Sequence, residues 1–81
     1  MTRITANGNI ENKIQEKRIS RKLTQQDLAD AIGVTRATVV ALERGAYNPS
    51  LELAFRASRF FDVSIEDLFQ FKPKHQKGLL K

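Results

Sequence analysis

Between two glycines, Gly33 and Gly45, the chain places Arg36 and Arg44 with Ala37, Val40 and Ala41 between them. At about 100° per residue, a helix over this stretch turns Val39 and Leu42 inward and throws Ala37, Val40, Ala41 and Arg44 outward, framed by Arg36. A helix that has only to stay in water carries Lys and Glu on its outer face, whereas this face is mostly short and apolar. Small groups let a partner approach closely. The chemistry on offer is recognition. Ser, Thr and Tyr occur, but none has a base and an orienting acid at a usable spacing, and no glycine-rich phosphate loop is present, so an enzyme reading has no residues to stand on. The single histidine, His75, lies in a lysine-rich segment of a chain without cysteine, which reads as solvated surface and leaves no metal site or cofactor to expect.

These side chains need two short helices and a tight corner to hold them, and residues 24–45 spell both. Thr24 followed three positions later by Asp27 is an N-cap pairing, Leu28, Ala29 and Ile32 share one face, and Gly33-Val34 makes the turn. Thr35 caps the second helix, and Gly45 can take the left-handed conformation that ends it. Around this pair the same signals predict three more helices. Ile10, Ile14 and Leu23, with Ile19 alongside, mark a first helix over residues 11–21. Pro49 discourages helix at Asn48, and Ser50 caps a fourth helix over 51–61 that turns Leu51, Ala54, Ala57, Ser58 and Phe61 inward and leaves Phe55 and Phe60 over. After a corner at 62–63, Ser64 and Asp67 open a short fifth helix through Ile65, Leu68 and Phe69. The expected fold is all-α, a compact five-helix bundle with little or no strand.

Length and charge set the outer bounds. Eighty-one residues make one small domain, here read as residues 10–71, with a polar arm over 1–9 and a basic tail over 72–81. The arm, with its Asn7-Gly8 turn signal, is expected to be flexible, a short strand paired with another terminus being the other possibility. Without cysteine the core must hold by apolar packing, and no signal peptide or run of about 20 apolar residues appears, so a cytoplasmic protein with no membrane partner is expected. A net charge of +5 and a pI near 10.0 point to an anionic partner, nucleic acid first and a membrane surface second. The charge is uneven: residues 13–22 hold Lys13, Lys17, Arg18, Arg21 and Lys22 against Glu16 alone, and residues 72–81 hold four lysines and no acid.

The motif Arg-x-x-x-x-Leu-Thr-Gln-Gln-Asp-Leu-Ala over 18–29, then Leu-Glu-Arg-Gly at 42–45, Asn-Pro-Ser-Leu at 48–51 and Val-Ser-Ile-Glu-Asp-Leu-Phe at 63–69 resemble the Cro and lambda-repressor type of helix-turn-helix regulator, also called the xenobiotic-response-element type. The resemblance runs over residues 14–69. It implies a five-helix DNA-binding domain whose second motif helix, residues 36–44, enters the major groove of double-stranded DNA. Carried over position by position, it makes Arg36 a base reader, a phosphate clamp being the close alternative, and Ala37, Val40 and Ala41 the wall that meets thymine methyls. Gln25, Thr35, Arg44 and Asn48 become phosphate holders, and Arg18 and Glu43 a structural ion pair. Lys17 departs from the pattern, standing where a leucine is common. The load of Phe55, Phe60, Phe69 and Phe71 is read as partly facing a second subunit, since such regulators commonly read near-palindromic operators as two-fold homodimers; core filling is the alternative. The implied function is sequence-specific transcriptional regulation, by repression in the simplest case. A protein-interaction module of the antitoxin kind, with Phe55, Phe60 and Phe71 as its contact surface, is the other reading.

Overall fold

The computed structural model describes residues 9–72. Four of the five helices begin where a hydroxyl can hold an otherwise unsatisfied amide. In α2 (Gln25–Ile32) the capping box is complete: Thr24 Oγ1 accepts from the Asp27 N–H, and the Asp27 carboxylate accepts from the Thr24 N–H, both at 2.9 Å. Thr35, Ser50 and Ser64 cap α3 (Arg36–Glu43), α4 (Leu51–Phe61) and α5 (Ile65–Leu68) in the same sense, each accepting from the amide three residues on. Gly33 ends α2 at φ 76° and Gly45 follows α3 at φ 74°, left-handed positions that cost glycine little. Asp62 takes the same geometry, at φ 60°, after α4.

All five predicted helices are present, and a short ribbon joins them. The first helix, α1, spans Ile14–Ser20, not 11–21, because Asn9–Asn12 forms a strand, β1, antiparallel to β2 (Phe69–Lys72). Ile10 lies opposite Phe71 and Asn12 opposite Phe69. Ile10 and Ile14 are four apart, a spacing that suits one helical stripe, yet the backbone groups of residues 9–12 find their partners across the ribbon instead. The remainder of the expected arm and tail lies outside the described residues.

Asn12 is the hinge between ribbon and bundle. Its Oδ1 accepts from the Ile14 N–H at 3.0 Å, opening α1, while its Nδ2 donates to the Leu42 carbonyl in the last turn of α3 at 2.9 Å. The Lys13 N–H donates to the Leu68 carbonyl at 2.9 Å and ties the same junction to α5. At the centre, Ile14, Leu28, Ala29, Ile32, Val39, Leu42, Leu53, Ala57, Phe61 and Leu68 form one buried cluster. Complete burial of a side chain the size of leucine is worth about 1.5–3 kcal/mol, so this shared core, and not helix propensity, holds such short helices in place.

The fourth helix departs from its predicted inner face. Leu51 is 70% exposed and Leu53 takes a core position. As the first helical residue after the Ser50 cap, Leu51 borders an open groove with Ile10, Pro49 and Ile65 and so has no facing helix to bury it.

Two arginines bind helix ends together. Arg56 donates to the Ile32 carbonyl at 3.0 Å, closing the C-terminus of α2 from α4, and Arg21 donates to the Phe60 and Phe61 carbonyls at 3.0 Å, closing the end of α4 from just beyond α1. Cations at helix C-termini satisfy free carbonyls and oppose the macrodipole. The Arg21 guanidinium also sits 5.5 and 5.3 Å from the Phe60 and Phe61 ring centroids.

Candidate nucleic-acid interface

Val39 and Leu42 are fully buried, which leaves α3 with only one way to face outward. On that side Arg36, Ala37 and Arg44 are exposed and Val40 and Ala41 half-buried. Thr35 and Asn48 flank the helix, both exposed, and Gln25 lies half-buried at the start of α2. The Thr35 hydroxyl accepts from the Thr38 N–H at 3.2 Å and contacts the Thr38 hydroxyl at 3.0 Å, so it is engaged in the cap while still open to solvent.

Beneath this face a chain of polar contacts runs from α1 to the first residue of α3. Arg18 Nε donates to Glu43 Oε2 at 2.6 Å and its Nη2 to Oε1 at 3.2 Å, a two-point pairing of planar groups. Arg18 Nη1 donates to the Leu23 carbonyl at 2.7 Å, fixing the turn that leads into α2. The side chains are 12% and 4% exposed. The hydrogen bonding that Glu43 accepts, with the carboxylate's charge behind it, pushes the Arg18 pKa up against the opposing effect of burial. Gln25 Nε2 then donates to Glu43 Oε1, and Arg36 Nη2 donates to Gln25 Oε1, each at 3.2 Å.

Arg44, at the other end of α3, lines an open polar cleft of about 410 Å³ with Glu11, Asn12 and Glu43, where the ribbon meets the helix. Charge in the basic segment 13–22 is thus split. Arg18 and Arg21 serve the fold, whereas Lys17 is half-buried and Lys13 and Lys22 are exposed.

The four phenylalanines differ in exposure. Phe60 and Phe69 are partly buried against the core, while Phe55 and Phe71 are 51% and 47% exposed. Phe69 also lines the groove beside Leu51, about 280 Å³ in volume, whose walls at Ile10, Pro49, Leu51, Ala54 and Ile65 carry no charge. Sequence reasoning missed Asn12, Arg21 and Arg56. Their partners are backbone carbonyls 24 to 40 positions away, which no local spacing announces.

Two capped helices set across a left-handed glycine, with the second exposing a small-residue face between arginines, define a helix-turn-helix. Residues 14–68 match the helix-turn-helix family, and the chain belongs to it, in its Cro and lambda-repressor branch. It is 48% identical over 63 residues to an uncharacterized HTH-type transcriptional regulator of Methanocaldococcus jannaschii, covering 78% of this chain and 96% of that protein. It is 37% identical over 57 residues to the cryptic phage CTXphi transcriptional repressor RstR of Vibrio cholerae, covering 70% of this chain and 51% of RstR. Among solved structures it is similar to the restriction-modification controller protein C.AhdI of Aeromonas hydrophila, with a TM-score of 0.63 and 29% identity over 68% of this chain and 83% of that one. The transcriptional regulator VanUg shares the fold at a TM-score of 0.68 and 22% identity, over 84% of this chain and 91% of that one. The chain is therefore a transcriptional regulator with a helix-turn-helix DNA-binding fold, from a family of regulators that bind double-stranded DNA and are not enzymes. Among the described residues no helix is long and apolar enough to cross a membrane.

Proposed function

We propose that this chain is a sequence-specific repressor that lays α3 in the major groove of a near-palindromic operator as a homodimer, acting in the cytoplasm by occluding a promoter. The outward face of α3 carries the reading: its exposed arginines stand at either end of a wall low enough for the helix to sit deep between phosphate backbones. Arg36 reads a base, Ala37, Val40 and Ala41 form the fitting surface, and Gln25, Thr35, Arg44 and Asn48 hold phosphates. The uncharged groove beside Leu51, with Phe55 and Phe71 exposed elsewhere, is the surface offered to a second copy, since a chain of charge +5 meets its like best where it carries no cation.

Selection from random duplex DNA tests the proposal. The expected result is an enriched near-palindrome bound less tightly as salt rises. On that site Arg36→Ala relaxes preference at one base pair per half-site at a cost of about 1–3 kcal/mol, while Arg44→Ala weakens all sequences alike. A pool with no enriched site overturns the reading. The protein-interaction alternative would instead give binding to a protein partner that hardly responds to salt.

A further inference from the structure

The groove between α4, α5 and the ribbon is open and apolar, with Ile10, Pro49, Leu51, Ala54, Ile65 and Phe69 among its walls and a volume of about 280 Å³. An apolar cavity of about 150 Å³ holds one benzene, so this space takes two side chains of leucine size. Three of its walls are each followed in sequence by an exposed acid: Glu11 after Ile10, Glu52 after Leu51 and Glu66 after Ile65. Glu52 bonds Arg56 at 2.7 Å, whereas Glu11 and Glu66 form no ion pair among the described residues. An apolar floor bordered by carboxylates fits a segment that is apolar and basic at once.

The chain carries such a segment. Residues 77–81 read Lys-Gly-Leu-Leu-Lys, and Leu79 and Leu80 are the only large apolar side chains after Phe71. Phe69 lines the groove, and at about 3.3 Å per residue β2 has carried the chain about 10 Å from it by Lys72. Residues 73–79 span up to about 23 Å, more than twice the way back. A tether this short keeps its end at a millimolar effective concentration, which a separate copy in solution does not match.

We infer that Leu79 and Leu80 dock in the groove of their own chain, with Lys77 and Lys81 set toward the carboxylates around it. Removal of the two leucines from water drives the contact. The segment thereby caps the surface offered to a second copy, and this second half of the inference rests on the homodimer proposed above. A second copy must displace the segment before it can pair. With the groove filled about nine-tenths of the time, pairing in solution is weakened about tenfold, since only the uncapped fraction is competent. Two half-sites of one operator hold two copies together at a far higher local concentration, which overcomes the cap and confines pairing to DNA.

The experiment uses the full chain with labelled leucine and isoleucine methyl groups, diluted until sedimentation shows a single copy. Nuclear Overhauser contacts from Leu79 or Leu80 to Leu51 or Ile65 are expected, unchanged on further dilution. Leu79→Gln with Leu80→Gln alters neither the net charge nor the described core, and is expected to tighten dimerisation about tenfold in sedimentation equilibrium. Absence of the contacts, their loss on dilution, or contacts from Met1 or Ile4 in their place overturns the docking. A double variant that dimerises no more tightly than the wild type overturns the cap, and one that dimerises less tightly shows the leucines bridging two copies instead. If neither protein pairs at any concentration or on operator DNA, the homodimer reading falls and the cap with it, while the methyl contacts still decide the docking.

Discussion

Arg56 Nη1 donates to the Ile32 carbonyl at 3.0 Å, and a methyl group placed on the neighbouring Gly33 would stand 3.1 Å from that same nitrogen. The corner of the helix-turn-helix is therefore closed on two counts, by a left-handed backbone at φ +76° and by an arginine lying across it. Gly33→Ala should destabilise the domain by about 1–2 kcal/mol from the backbone alone, with a further loss as Arg56 is moved off its carbonyl. Thermal unfolding would show this as a midpoint lowered by roughly 4–8 °C per kcal/mol in a domain of this size. Gly45→Ala meets nothing within 4 Å and should show the backbone cost without the additional loss.

Removing Arg18 strands a carboxylate that is 4% exposed. Gln25 remains as a donor, which softens the effect, and Arg18→Ala is expected to cost about 3 kcal/mol in denaturant unfolding. Replacing both partners, as Arg18→Met with Glu43→Leu, should recover most of that loss. A double variant no more stable than Arg18→Ala would mean the pair contributes net stability of its own.

Ser58 sits in α4 at 3% exposure with its hydroxyl unpartnered. Its burial costs free energy that no hydrogen bond returns, so Ser58→Ala should stabilise the domain by about 1 kcal/mol. A melt shifted downward would show that the hydroxyl has a partner in solution.

At acid pH the Asp27 box should come apart first. The Thr24 backbone N–H, and then its side chain, hold the Asp27 carboxylate below the ordinary aspartate value of 3.8. A folded pKa below the unfolded one contributes stability that is fully present above the unfolded value and is lost as pH falls through the folded one. Stability of the wild type should therefore drop more steeply below about pH 4 than that of Asp27→Asn, whose amide oxygen can still accept from Thr24 but does not titrate. Equal acid slopes in the two proteins would remove this role.

The parts of the fold readable from sequence are those fixed by neighbours in the chain. Thr24 with Asp27, the left-handed Gly33 and the hydroxyls of Thr35, Ser50 and Ser64 mark helix ends because capping acts over three or four residues. Val39 and Leu42 declare the inner side of α3 in the same way. Ile10 misleads for a complementary reason, since its partner Phe71 comes from the far end of the domain and outweighs the helical spacing to Ile14. Leu51 misleads because periodicity gives the direction of a side chain and not whether anything lies in that direction. In the site, the outward face of α3 follows from its own wheel. Arg18 and Glu43 are 25 positions apart, so only the family likeness names that contact, and neither likeness nor spacing discloses that Gln25 joins it to Arg36.

The ribbon has a consequence for the order in which the molecule is made. Ile10 and Phe71 come from opposite ends of the domain, and drawing together segments about 60 residues apart costs on the order of 4 kcal/mol of loop-closure entropy if nothing between them is yet ordered. The helices need only near neighbours and each other, so they form first and shorten that loop before the strands meet. On the ribosome, α2 and α3 are complete before β2 has been synthesised. The Asn12 anchor on Leu42 sits at the end of β1, so α3 gains this restraint only once β2 has emerged.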